Sequence, residues 1–258
     1  MGAKEFGLVI PFFNEEKRID CDRLIDLFTK WPGKVLMVDD GSTDKTHELL
    51  SRIEQRCDAK VLRINKNHGK ASAIRIGLIN LSAEKDLDWL CVFDSDFSVD
   101  EKDVFKAINL ASQVRNVSET SSDRYVYILS GSRLLSSGRE NVSLNRHPTR
   151  DTIGKVIRAL VRTLCKIDTR DPQTPLKVYL NNSSLREIVE LSSRTRWFFD
   201  VEVVIRARNL GLKIRWTEFN LENWRDIPTE NYSGFRSFFV LSDLILIFLI
   251  RFMPKRFK

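Results

Sequence analysis

Apolar residues in this chain come in short unbroken runs, and longer stretches with apolar positions at helical spacing separate those runs. Gly7-Leu-Val-Ile-Pro-Phe-Phe13 is the first run. Its length and continuity read as a strand buried on both faces. Asn14-Glu15-Glu16 then starts a predicted helix carrying Ile19, Leu24, Leu27 and Phe28, which Trp31-Pro-Gly33 ends. Val35-Leu-Met-Val38 is a second buried strand, and Asp39-Asp-Gly-Ser-Thr-Asp44 is a turn rich in helix caps. The pattern continues with a helix to about Arg56, a strand over Lys60–Ile64 and a helix over Gly69–Leu81. The run Trp89–Phe93 is a further strand, followed by a helix from Glu101 to Arg115 and strands at Tyr125–Leu129 and Lys213–Phe219.

Strands alternating with helices at this spacing predict an α/β fold with a mostly parallel sheet and right-handed crossovers. Beyond about residue 131 the alternation weakens, as expected if the second half closes over a ligand held by the first. Ligands of open α/β sheets bind at the carboxyl ends of the strands, and acidic residues gather there. Asp39 and Asp40 follow the second strand, where carboxylates are suited to ribose hydroxyls or a base N–H. Asp94-Ser95-Asp96 closes the strand Trp89–Phe93. Two hard oxygen donors so spaced suit a divalent ion whose remaining positions take phosphate oxygens. Pro11 to Glu15, including Asn14, closes the first strand and lines the same crevice. Gly69-Lys70 opens a helix whose free N–H groups favour phosphate.

In this order the segments VIPFFNEE (9–16), VDDGSTDKT (38–46), NHGKASAIRIG (67–77), FDSD (93–96), SGSR (130–133) and WFFDVE (197–202) resemble the family 2 glycosyltransferases of GT-A, Rossmann-like fold. Within them the chain is most similar to dolichyl-phosphate and polyprenyl-phosphate glucosyltransferases, over about residues 6–226. The resemblance implies that Asp39, Asp40 and Glu15 hold the nucleotide. It places Asp94 by the ribose and diphosphate, with Asp96 as metal ligand. Arg133 would meet phosphate, where a planar bidentate donor is suited. Asp200 and Glu202 would face sugar and acceptor. Arg170-Asp-Pro-Gln-Thr-Pro-Leu-Lys177 resembles the family's D-x-Q-x-G-F-K stretch, which implies acceptor roles for Gln173 and Lys177. Pro175 and Leu176 depart from it, as does Ser98 where mannosyl-type relatives often carry Gln. Trp224 follows the strand over 213–219 and either faces the acceptor or simply packs.

The implied reaction is transfer of a hexose, glucose from UDP-glucose, to polyprenyl or dolichyl phosphate with inversion, assisted by Mg²⁺ or Mn²⁺. The alternatives are a transferase using a saccharide, glycolipid or protein hydroxyl, and a silent nucleotide-sugar-binding protein. A net charge of +7 in 258 residues favours an anionic partner. No nucleic-acid-binding module accompanies it. Basic residues recur about every fourth position from Arg146 to Arg170, beside an apolar face from Ile153 to Leu164. That stripe reads either as an interfacial helix on an anionic membrane or as a core helix with a solvated face. The run from Phe238 to Ile250, broken by Ser242-Asp243, falls short of the roughly 18–20 apolar residues of a span. It suits the interface plane or a contact between two copies.

The expected organisation is a catalytic domain over 1–230, with a nucleotide-sugar half (1–131) and an acceptor half (132–230), then a membrane-associating extension over 231–258. Cys21, Cys57, Cys91 and Cys165 show no paired spacing and fit a reducing compartment. No leader segment is apparent. The expected location is cytoplasmic, peripheral at the cytosolic face of a membrane.

Overall fold

The computed structural model describes residues 5–114, 124–134, 159, 161–163, 169–191, 195–222, 224, 225, 227 and 234–252, with side chains of the last helix from 242 to 251. Its strands are β1 (Glu5–Phe12), β2 (Gly33–Asp39), β3 (Ala59–Arg63), β4 (Leu87–Phe93), β5 (Tyr125–Ser132), β6 (Leu176–Leu180) and β7 (Lys213–Asn220). The helices are α1 (Cys21–Lys30), α2 (Thr46–Glu54), α3 (Lys70–Ser82), α4 (Glu101–Gln113), α5 (Ser183–Glu190), α6 (Phe199–Asn209) and α7 (Gly234–Phe252).

One sheet runs in the order β3-β2-β1-β4-β6-β5-β7. β1, β2, β3 and β4 pair in parallel, as do β5 and β7, while β6 lies antiparallel between β4 and β5. The predicted mostly parallel sheet is therefore present, with one reversed strand, β6, fifth in the order. Alternate residues of the strands serve two apolar layers. Leu8, Ile10 and Phe12 pack with Leu24, Leu27, Leu50 and Ile53 of α1 and α2 and with Val104 and Ile108 of α4. Val9, Val38 and Val92 pack on the other side with Ala73 and Leu78 of α3, Leu185 of α5 and Val203 of α6. This two-sided burial explains why the strands read as unbroken apolar runs. A third cluster joins α6 to Ile247 and Ile250 of α7 and to Val161. Gly77 is the point of closest approach between α3 and the sheet: a Cβ there would sit 2.4 Å from Val9 Cγ1.

The first helix begins later than the sequence pattern predicts. Residues 14–16 form no helix, and their backbone N–H groups donate to side chains of the turn after β2. Asn14 N donates to Ser42 Oγ (3.0 Å), Glu15 N to Thr46 Oγ1 (2.7 Å) and Glu16 N to Asp44 Oδ2 (3.1 Å). Asn14 takes the left-handed conformation, φ 52°, which Asn tolerates better than most residues. Helix α1 starts at Cys21 with Asp20 accepting from Arg23 N, an ordinary N-cap.

The run over 238–250 lies within one continuous helix, and Ser242-Asp243 does not interrupt it. No helix among the described residues is long and apolar enough to cross a membrane. Most of the basic stripe over 146–170 lies outside the described residues; within it, 161–163 are helical, with Val161 buried and Arg162 exposed.

Candidate active site

The carboxyl ends of β1, β2 and β4 converge with the start of α3, the start of α6 and the first half of β6. The turn after β2 supplies the wall on one side. Asp39 and Asp40 are both buried, with different surroundings. Asp40 accepts from His68 N (3.0 Å), Gly69 N (2.7 Å) and Asn67 Nδ2 (2.8 Å), so it clasps the loop that leads into α3. Burial outweighs those bonds and raises its carboxyl above the usual range. Asp39 accepts from Ser42 N through one oxygen (2.9 Å). Its other oxygen, Oδ2, has no hydrogen-bond partner, with His47 Nδ1 at 3.4 Å and Arg63 Nε at 3.6 Å. A buried acceptor left so is suited to a donor from a ligand.

The Asp94-Ser95-Asp96 turn leaves β4 in the middle of the sheet. Asp94 pairs with Lys70 Nζ at 2.5 Å. Burial raises the Asp94 carboxyl, and the negative charge of Asp96 adds to this against the opposing Lys70. Asp96 accepts from Ser98 N through Oδ1 (2.9 Å). Phe97 between them has φ 51°, a conformation costing about 1–3 kcal/mol in a bulky residue. Its ring is held edge-on to Phe93 (5.3 Å) and under Arg23 (4.1 Å), contacts that offset the strain. Glu15 lies on the same side: burial raises its carboxyl, Arg18 opposes, and the fields of Asp96 and Asp44 push it further up. Pro11 sits within β1, next to the Phe12 carbonyl that accepts from Asp40 N (2.8 Å).

On the other side, Lys177 and Tyr179 project from the same face of β6, since strand side chains alternate with period two. Lys177 Nζ lies 2.9 Å from Asp200 Oδ2 and Tyr179 Oη donates to Asp200 Oδ1 at 2.8 Å. Asp200 is thus fixed in the first turn of α6, next to the Lys70–Asp94 pair: its charge acts on Lys70, and that of Lys177 on Asp94. Glu202 turns elsewhere. Two residues along a helix is about 200° of rotation, and its buried carboxylate accepts from Arg206 Nε (2.7 Å) and Thr195 Oγ1 (2.9 Å).

Arg133 forms a fork on Asp171, Nε to Oδ2 at 2.6 Å and a terminal nitrogen to Oδ1 at 2.7 Å, and also reaches the Gln173 carbonyl at 3.3 Å. Burial alone would raise the Asp171 carboxyl; the Arg133 bonds and charge outweigh it and hold the group below the usual range. The Trp224 ring lies 5.4 Å from the Arg133 guanidinium carbon, and the adjoining Arg225 N donates to the Ser98 carbonyl (2.8 Å). The loop after β7 therefore closes over the D-x-D turn. Asp171, the leading residue of the D-x-Q stretch, was given no role of its own in the sequence reading, and Tyr179 does not stand out there; the period-two spacing of Tyr179 from Lys177 is the signal that could have found it.

Glu15, Asp94 and Asp96 thus face Lys70, Lys177 and Asp200 across a sheet edge, with Asp39 and Asp40 beside them. Such an arrangement can hold a phosphorylated ligand between cationic and carboxylate groups, with a hard cation on the latter. Residues 8–130 match the family model Glycosyl transferase family 2. The structure resembles the GT-A glycosyltransferase glucosyl-3-phosphoglycerate synthase of Mycobacterium tuberculosis, solved with UDP, at a TM-score of 0.57 and 17% identity, covering 95% of this chain and 80% of that one. The same synthase has also been solved with Mn²⁺, UDP-glucose and phosphoglyceric acid. The matched segment is thus similar to family 2 glycosyltransferase domains, and the chain is a glycosyltransferase by class.

More particularly, the chain is 26% identical to dolichyl-phosphate beta-glucosyltransferase of Mus musculus, over 97% of this chain and 76% of the relative. It is 24% identical to the protein of the same name in Saccharomyces cerevisiae, over 93% and 73%.

Proposed function

We propose that the chain transfers glucose from UDP-glucose to a polyprenyl phosphate of the dolichyl-phosphate kind, at a membrane surface. The observation that carries this reading is the pairing of Asp200 with Lys177 and Tyr179 beside Lys70, Asp94 and Asp96. A carboxylate held by a lysine and a phenol is built to position a partner rather than to abstract a proton. A phosphate monoester loses its second proton near pH 6, so at neutral pH it needs no base. One of its oxygens attacks the anomeric carbon from the face opposite the nucleotide. The new bond joins that oxygen to the carbon, the carbon–diphosphate oxygen bond breaks, and the electron pair leaves with UDP; the configuration inverts.

Asp39 Oδ2 is the acceptor suited to a base N–H or ribose hydroxyl, and Lys70 the cation suited to the diphosphate. Asp94 and Asp96 fit a divalent ion as a pair of hard donors that leaves coordination positions for phosphate oxygens. Among the described residues no group of three His, Cys, Asp or Glu side chains is arranged to hold an ion. Asp94 and Asp96 would hold Mg²⁺ or Mn²⁺, which would supply positive charge to the leaving diphosphate.

Arg133 and Gln173 shape the acceptor side under Trp224, and Lys177 supplies a positive charge for the acceptor phosphate. Glu202 serves this site by holding Thr195 rather than by meeting substrate. The outer side of α7, with Ile245, Phe248 and Leu249 each about half exposed and basic residues following, is suited to the headgroup region of an anionic bilayer.

The test offers sugar-labelled UDP-glucose with a short polyprenyl phosphate, the corresponding polyprenol and a saccharide in parallel. Label is expected in the lipid phosphate alone. Label in the saccharide or polyprenol would replace this reading with transfer to a hydroxyl.

A further inference from the structure

We propose that Asp243, on α7, is a positioning residue for the donor side of the site and acts through Arg196. Asp243 is the acidic residue in an otherwise apolar stretch of helix, and it is buried. Its carboxylate accepts from Arg196 N (3.1 Å to Oδ1, 2.9 Å to Oδ2) and from Trp197 N (2.8 Å). Burying a carboxylate is costly without such partners, so the arrangement is specific to this turn.

Arg196 in turn fixes the entrance to α3 in three ways. Its carbonyl accepts from Ala71 N at 2.9 Å. Its guanidinium donates to Asn67 Oδ1. Its backbone and Cβ lie so close to Gly69, at φ 98°, that a Cβ on that glycine would meet them at 2.8–3.0 Å. Asn67 passes the constraint to Asp40 (2.8 Å), which also accepts from His68 N and Gly69 N. The next residue, Lys70, carries the ammonium paired with Asp94.

The chain from Asp243 to Lys70 is therefore an unbroken series of hydrogen bonds and contacts. The turn it holds, 195–197, leads directly into α6 and Asp200. Helix α7 is itself anchored on α6 through Ile247 and Ile250 and through Asn209 Nδ2 donating to the Ile250 carbonyl (2.9 Å).

This inference rests on the nucleotide reading of the Asp40–Lys70 side, and the test separates the two. UDP binding with Mn²⁺ is measured by calorimetry on the full chain, and the KM values for UDP-glucose and for the acceptor are measured alongside. Asp243→Asn keeps the size of the side chain but presents an N–H₂ toward backbone donors. Its UDP Kd and donor KM are expected to rise about tenfold, within the usual range for linked sites, with the acceptor KM within about twofold of wild type. In that background Asn67→Ala is expected to add little, because both changes release the same loop.

An unchanged Kd in Asp243→Asn, or fully additive effects with Asn67→Ala, would overturn the proposal. If Asp243→Asn does not fold, Arg196→Lys leaves the backbone bonds to Asp243 in place and removes the guanidinium bond to Asn67. The same rise in Kd is expected there, and its absence overturns the proposal as well. Wild-type protein that binds no UDP would instead remove the nucleotide reading on which it stands.

Discussion

Lys177 is the point at which stability and activity can be separated. It is 3% exposed, its ammonium pairs with Asp200 at 2.9 Å, and it donates to the Thr174 carbonyl at 2.6 Å. Lys177→Met keeps most of the stem and removes the charge and its donors. Removing one partner of a fully buried pair costs about 3–5 kcal/mol. The Asp200 side chain retains 19% exposure and its bond from Tyr179, so water and the phenol compensate in part and the cost falls to about 2 kcal/mol. At this chain length each kcal/mol lowers Tm by about 2–4 °C, giving a fall of about 4–8 °C. Adding Asp200→Asn removes the stranded charge, and at least half of the lost Tm is expected to return. Activity is expected to behave differently, with both variants at least about 100-fold slower, equivalent to about 2.7 kcal/mol at the transition state. Thermal unfolding and labelled transfer read the two quantities on the same preparations. A single variant with unchanged Tm and full turnover, or a double variant no more stable than the single, would refute the pairing as described.

Three further outcomes follow from the same geometry. Lys70→Met takes the counter-charge from Asp94, whose carboxyl burial already raises, so the acid limb of the kcat/KM profile is expected to move to higher pH; an unmoved limb would show that Asp94 ionisation does not govern it. Asp171 is held below the usual range by Arg133, so its contribution to stability is complete above the unfolded carboxyl value of about pH 4 and disappears as pH falls through the lower folded value. The stability gap between wild type and Arg133→Met, followed by urea unfolding, should therefore be wide at pH 7 and narrow below pH 4, and a constant gap would contradict it. Gly77→Ala drives a methyl against Val9 and is expected to lose about 1–3 kcal/mol, much of it restored by Val9→Ala; a fully stable single variant would mean that α3 packs less closely than described.

The central strands were legible because burial on both faces leaves few polar positions in them, as in Val35–Val38 and Trp89–Phe93. The acidic turns at their ends were legible for the same reason, since they mark where each apolar run stops. The start of α1 was not, because Asn14 turns left-handed and residues 14–16 bond to a turn about thirty positions away, and local periodicity carries no trace of either. Strand β6 was not read from the sequence at all, because it is short and Lys177 interrupts its apolar run, and its reversed direction was equally hidden. Asp200 and Glu202 looked equivalent as a pair in the sequence, yet the helix rotation between them sends one to the Lys177–Tyr179 pair and the other to Arg206. Asp243 read as a break in an apolar segment, and it is a buried cap for a turn 46 residues earlier.

The most direct test of the account is transfer of labelled glucose from UDP-glucose to polyprenyl phosphate by wild type and Asp96→Ala, each with Mn²⁺ and with EDTA. Label is expected in the lipid phase only for wild type with the metal. Equal transfer by Asp96→Ala, or transfer by wild type undiminished by EDTA, would contradict the assignment of the D-x-D turn as the centre of the reaction.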